Sequence, residues 1–224
     1  MHAKTESTKT ETAPMGRRQR KALDTRRRMI AAAQAQMAEG GPESITIQAV
    51  TEGADIGQGT FYNYFKSRDE LIDSVIFDVV ENLGRRLDKL ANKMTDPAEI
   101  YAFSLRYLMQ TAVSDPVWGW FMVKLGIAQD GLLAALGPRA SRDIKLGVDS
   151  GRFKIDDIAL ASAMTFGSLL AVMHNYLNGQ LDGDPSGGYA AALLRMVGLS
   201  AEEADDIATR KMPPLPKLTP AESA

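Results

Sequence analysis

Gln58, Thr60, Tyr62, Asn63, Tyr64 and Lys66 gather six side chains capable of directed polar contacts into nine consecutive positions. Their amide, hydroxyl, phenol and ammonium groups are suited to recognition rather than to making or breaking bonds. A glutamine can pair bidentately with adenine, and a threonine can bond a phosphate or touch a thymine methyl. A tyrosine offers an apolar body with a hydroxyl suited to phosphate oxygen. On a helix the interleaved Phe61 and Phe65 share one face, whereas Tyr62 and Tyr64 splay to either side of it. The phenylalanines are therefore expected in a core and the tyrosines near the surface. Packing of the tyrosines against the following helix is the competing arrangement.

Bond-making chemistry is poorly supplied elsewhere. The 224 residues include no cysteine and only His2 and His174, with no glycine-rich phosphate loop or metal-ligand spacing. No enzyme, metal site or cofactor is expected, and the absence of cysteine fits a reducing compartment. The net charge of −2 is unevenly spread, with seven basic residues against Asp24 alone between residues 17 and 28. Such a run either meets phosphate or forms a solvated arm. The longest apolar run, residues 160–173, contains Ser and Thr and falls short of the roughly 20 residues that a bilayer needs. No charged-then-apolar leader opens the chain. These features predict a cytoplasmic protein without a membrane partner, and a buried helix at that run.

The elements that must position the 58–66 cluster follow from periodicity and capping. Residues 1–16 have almost nothing to bury and are expected to be disordered. From Asp24, which can cap, Met29, Ile30, Ala33 and Met37 recur at helical spacing until Gly40-Gly41-Pro42. Thr46 can cap a short helix from Ile47 to Ala54, which Asp55 interrupts. A third helix is predicted from Gln58 to Phe65, and Ser67-Arg68-Asp69-Glu70 has the form of a capping box that starts a fourth. That fourth helix carries an apolar stripe of Leu71, Val75, Val79, Leu83, Leu87, Leu90 and Met94. Three short helices, the last two joined by a tight turn, form a helix-turn-helix candidate. In it Gln58 and Thr60 occupy the first turn of the helix that enters the major groove.

The run from Thr25 to Leu71 resembles the DNA-binding domain of the TetR-type (tetracycline-repressor-like) transcription regulators. The resemblance rests on Ala32-Ala33, Gly41, Thr46-Ile47, Val50 with Ile56, and above all Gly59-Thr60-Phe61-Tyr62-x-Tyr64-Phe65 followed by Lys66 and Asp69-Glu70-Leu71. It implies an all-α fold and a homodimer on double-stranded DNA at an inverted-repeat operator. By position, it implies that Gln58 contacts a base and that Thr60 contacts base and phosphate. It makes Tyr62, Tyr64, Lys66 and Thr46 phosphate contacts, with Asn63 able to reach either. Arg26 joins the set through the basic run, whose role rests on charge. The chain departs from the family pattern at Asp55, where glycine is usual, at Gly57 for a serine cap and at Thr51 for alanine. Gln34 and Gln36 stand at often apolar sites.

Beyond Met94 the pattern remains helical. Helices are expected from Pro97 to Val113, Pro116 to Ala128, Pro138 to Ser150, Ile158 to Asn178, Tyr189 to Val197 and Ala201 to Thr209, with a loop over 182–188. The resulting organisation is a tail (1–16), a helix-turn-helix domain with its basic arm (17–68), a ligand-sensing and dimerisation domain (69–211) and a disordered proline-rich tail (212–224). Family architecture implies pairing of the last two long helices with their symmetry mates. Ala159, Ala163, Gly167 and Leu170, with Ala192 and Met196, supply surfaces that permit close approach; the centre of a monomer's core is the alternative. Phe103, Tyr107, Met109, Trp118, Trp120, Phe121, Met122, Met164, Phe166 and Met173 could line a cavity for an apolar or amphipathic effector, or be ordinary core. His174 is expected to be a core or interface residue. Two readings follow: a repressor released from its operator by a small-molecule effector, and a ligand-independent DNA organiser built on the same helix-turn-helix.

Overall fold

The computed structural model describes residues 16–40, 42–128 and 130–219, with side chains at 38–40, 42, 121, 124–128 and 130–135 outside that description. The described residues form helices without a strand: α1 (Arg17–Gly40), a 3-10 turn (Pro42–Ser44), α2 (Ile47–Gly53), α3 (Gln58–Phe61), α4 (Arg68–Ala91), α5 (Pro97–Ser114), α6 (Pro116–Ala128), α7 (Asp130–Asp149), α8 (Ile158–Leu177), α9 (Ser186–Met196) and α10 (Ala201–Thr209). The chain divides into two compact units, Met1–Val75 and Ile76–Ala224. The expectations for residues 1–15, Gly41 and residues 220–224 lie outside the described residues.

In the first unit, Met29, Ile30, Ala33, Ile45, Val50, Ala54, Phe61, Phe65, Leu71 and Val75 form one core. Burial of the two phenyl rings contributes about 2 kcal/mol each. The Thr46 hydroxyl accepts from Ala49 N at 3.2 Å and starts α2. Asp55 takes φ +50°, the left-handed conformation its short side chain tolerates, and turns the chain toward α3. Gly53 matters for packing, since a Cβ there would lie 3.0 Å from Ala32 Cβ where α1 crosses α2. Thr51, in place of alanine, is buried with its hydroxyl donating to the Gln48 carbonyl at 2.9 Å. Ser67 Oγ accepts from Glu70 N at 3.1 Å, while the Glu70 carboxylate reaches back to Lys66 N at 2.6 Å, one residue earlier than the usual box.

Two expectations are corrected here. α1 begins at Arg17, seven residues before Asp24, because the Arg, Lys, Gln and Ala of this stretch are good helix formers. Asp24 pairs with Arg28 at 3.5 Å instead of capping. Regular helix in α3 ends at Phe61, and residues 62–64 continue as a turn that returns Phe65 to the core.

In the second unit α5 packs on α9, α9 on α10, and both α6 and α7 on α8. Asp96, Asp157 and Ser200 cap α5, α8 and α10 through their side chains. Pro138 lies inside α7 rather than at its start, and α9 begins at Ser186, within the expected loop. The proline-rich segment is not loose: residues 210–217 run extended across α4 and α5, their carbonyls receiving four side-chain donors. Arg106 donates to Arg210 O at 2.6 Å, Tyr107 to Pro213 O, Arg86 to Pro216 O at 3.0 Å and Lys89 to Lys217 O at 3.4 Å. Prolines favour this extended geometry, which leaves the carbonyls turned outward to be bonded.

α8 is long and apolar enough to cross a membrane by length and composition alone, a property that core helices of soluble folds share. The hydroxyls that made the run look short of this, on Ser162, Thr165 and Ser168, bond back to the carbonyls of Ile158, Ala161 and Met164 and so hide their polarity.

Candidate functional site

The helix-turn-helix of α2 and α3 displays the expected recognition residues on one side of a packed core. Gln58, Asn63 and Lys66 are exposed, as is Thr46, and Thr60 is half-buried. Tyr62 is 61% exposed, its ring standing edge-on to Phe61 at 5.3 Å between centroids. Tyr64 departs from the surface expectation: it is half-buried and packs on the core. Arg26 is exposed, and it donates to Ser74 Oγ at 3.0 Å and stacks over the Phe65 ring at 5.1 Å. It thereby braces the start of α4. Nothing within 4 Å occupies the place of a Cβ at Gly57 or Gly59. The backbone of α3 is therefore open to close approach by a partner.

A second site lies wholly within the second unit. Leu87, Leu105, Leu108, Leu136, Phe166 and Leu169 wall a cavity of about 50 Å3 whose polar end consists of Asp88, Arg139, Arg142 and Asp143, with Tyr101, Ser104, Ala140 and Thr165 completing it. The charges are tightly ordered. Arg139 donates to both oxygens of Glu81 at 2.9 Å and to Asp88 at 2.9 Å; Arg142 donates to Asp88 at 2.7 Å and to Asp143 Oδ1 at 2.8 Å. Gly84 makes this possible, because a Cβ there would lie 2.7 Å from Arg139 Cζ. The Arg139 hydrogen bond holds the Glu81 carboxyl below its usual range, against the opposing effect of burial. Burial pushes the Asp143 carboxyl up despite the Arg142 guanidinium beside it. Tyr101 and Thr165 share a 2.6 Å hydroxyl–hydroxyl bond, and burial raises the Tyr101 phenol to about 12. Both Arg142 contacts to Asp143 go to Oδ1. The cavity thus combines an apolar slot with an acceptor, cationic donors and a neutral hydroxyl pair.

Of the described residues expected to line a pocket, Phe166 lines this cavity. Phe103, Met109, Trp118, Met122 and Met173 are buried core outside it, and Trp120 stacks edge-on against His174 at 5.9 Å. Tyr107 holds the C-terminal segment, and Met164 is 50% exposed on the opposite face of α8. The side chain of Phe121 lies outside the described residues. Large adaptable side chains were poor guides because they also fill ordinary core. The usable signal was charge on an inward helix face: Arg139 and Asp143 share the stripe of Leu136 and Gly147 in α7, and Asp88 adjoins Leu87 in α4.

Met164 instead belongs to an exposed, mostly small-residue face of α8 that runs through Ala159, Leu160, Ala163, Gly167, Ala171 and His174. Ala192 is likewise exposed on α9 and Met196 half-buried. Leu170 points the other way and is buried.

Comparison with known proteins agrees with this architecture. Residues 29–75 match the family profile of bacterial regulatory proteins, tetR family, and residues 96–210 match the tetracyclin repressor-like C-terminal domain. Two crystal structures of RolR, one without ligand and one with resorcinol, are 44% identical to this chain. The first covers 85% of this chain and 100% of RolR with a TM-score of 0.76; the second covers 88% and 99% with a TM-score of 0.78. The transcriptional repressor KstR of Mycolicibacterium smegmatis is 29% identical over 94 residues, 42% of this chain. That match spans 46%, about half, of the length of KstR. FadR of Bacillus halodurans, 22% identical over 76% of this chain and 94% of its own with a TM-score of 0.57, shares the fold. With both units matched to their profiles, the chain belongs to the tetracycline-repressor-like (TetR) family, whose members are DNA-binding transcription regulators and not enzymes.

Proposed function

We propose that the protein is a homodimeric repressor that binds an inverted-repeat operator and leaves it when a small hydroxylated aromatic enters the cavity between α4, α5, α7 and α8. DNA reading would reside in residues 17–68, and sensing and dimerisation in 69–211. The observation that carries the DNA-reading part is the exposed surface of α3 and the turn after it, where Gln58, Tyr62, Asn63 and Lys66 project beside two glycines without packing duty. Dimerisation through α8 and α9 is supported by the small-residue face that a single chain leaves uncovered.

The effector class is supported by the chemistry of the cavity and by the 44% identity to RolR, which has been crystallised with resorcinol. Phenol hydroxyls can donate to Asp143 Oδ2 and accept from Arg139 or Arg142, while the ring meets leucines and Phe166. The cavity of about 50 Å3 is smaller than the roughly 150 Å3 that admits benzene in an apolar protein interior. A ring must therefore push its walls outward, and α4, which supplies Leu87 and Asp88, continues back to Arg68 beside the recognition segment. Differential binding to the expanded state would shift the population away from the DNA-binding one. Calorimetry with resorcinol tests the site: measurable affinity lost in Asp143→Leu supports it, and no binding by the unaltered protein contradicts it. The ligand-independent organiser has no specific observation in its favour.

A further inference from the structure

The cavity has a neighbour. An open groove of about 600 Å3 is lined by Phe77, Glu81, Arg85, Asp88, Pro138, Arg139 and Arg142. Asp88, Arg139 and Arg142 also close the polar end of the cavity, so these side chains are the wall between the two spaces. We propose that Arg139 and Arg142, latched on Asp88, form a door through which the effector passes from the groove into the cavity. The proposal rests on the reading of the cavity as the effector site.

Several features single out this wall. Among the described residues, Leu87, Tyr101, Leu105, Leu108, Phe166 and Leu169 line the rest of the cavity as buried side chains, and passage past them would require close-packed helices to separate. At the shared wall only side chains must rotate, a far faster motion. The Arg142 side chain is 45% exposed and its pair with Asp88 is a weak latch, whereas Arg139, 19% exposed and held by both Glu81 and Asp88, is the firmer half of the door. The closed position has its own seat: the guanidinium of Arg139 fills the space that a Gly84 side chain would claim. Outside the door, the half-exposed ring of Phe77 and the face of Pro138 give an aromatic ligand an apolar surface to rest on before admission.

The cysteine-free chain permits a direct test. Phe77→Cys places a unique thiol at the groove, which a maleimide carrying a polyethylene glycol chain can obstruct. Resorcinol binding is followed by stopped flow and calorimetry before and after labelling. The expected result is a fall of about tenfold in both association and dissociation rates with an equilibrium constant changed less than about twofold. In Gly84→Ala, whose seat is blocked, both rates should rise by about fivefold or more. Rates indifferent to the label, or a label that weakens affinity without slowing association, would overturn the door. Absence of resorcinol binding before labelling would overturn the effector reading and the door with it, and calorimetry on the unaltered protein tells that failure from the other two.

Discussion

Gln58 and Lys66 stand eight positions apart in one exposed segment, yet their substitution should have different signatures. Gln58→Ala removes an amide able to read a base, so competition between operator variants should show relaxed preference at one position, by about 1 to 3 kcal/mol. Lys66→Ala removes a charge, so affinity should fall for all sequences alike and the slope of log affinity against log salt should shrink by about one. Asp143 gives a prediction of another kind. Its carboxyl is raised, so ionisation destabilises the fold once pH climbs past the ordinary aspartate range. Asp143→Asn should therefore melt at the same or higher temperature than the unaltered protein at pH 7, with the difference vanishing near pH 4, while resorcinol affinity drops. Glu81 has the opposite sign: its depressed carboxyl stabilises the fold above the ordinary glutamate range, and that contribution is lost as pH falls below it. The separation of Phe61 and Phe65 in the core from Tyr62 at the surface was legible because aromatic spacing divides two faces within one turn. The cavity was not, because its chemistry lies in arginines and aspartates that look like solvated helix charges until their neighbours are known.

At the scale of elements, caps and turns were readable: Thr46, Ser67 and the left-handed Asp55 are local chemistry. The C-terminal strap was not. Its donors, Arg86 and Lys89 on α4 and Arg106 and Tyr107 on α5, lie more than a hundred residues away in sequence. A proline-rich run without those partners reads as disorder. Ending the chain after Lys211 should lower the melting temperature by about 5 °C, for the loss of some three hydrogen bonds near 0.5 to 1 kcal/mol each. Amide exchange in residues 86–91 should accelerate in the same variant. A second test concerns the α7–α8 junction, where a Cβ on Gly147 would fall 2.0 Å from the Phe153 ring. Gly147→Ala should cost about 3 kcal/mol or more in denaturant unfolding.

For the whole molecule, the claim is that two copies meet through α8 and α9. Gly167 is well suited to test it, because beyond the adjoining turns of α8 no described atom lies within 4 Å of an added Cβ. Gly167→Glu should leave the melting curve of the isolated subunit intact while shifting sedimentation from dimer to monomer and weakening operator binding. The most direct test of the central claim is a footprint of the purified protein on the DNA flanking its own gene, with and without resorcinol. A protected inverted repeat that is lost on adding resorcinol, and retained in Asp143→Leu, is the predicted result. Protection without an inverted repeat, or a footprint that resorcinol leaves unchanged in the unaltered protein, would contradict it.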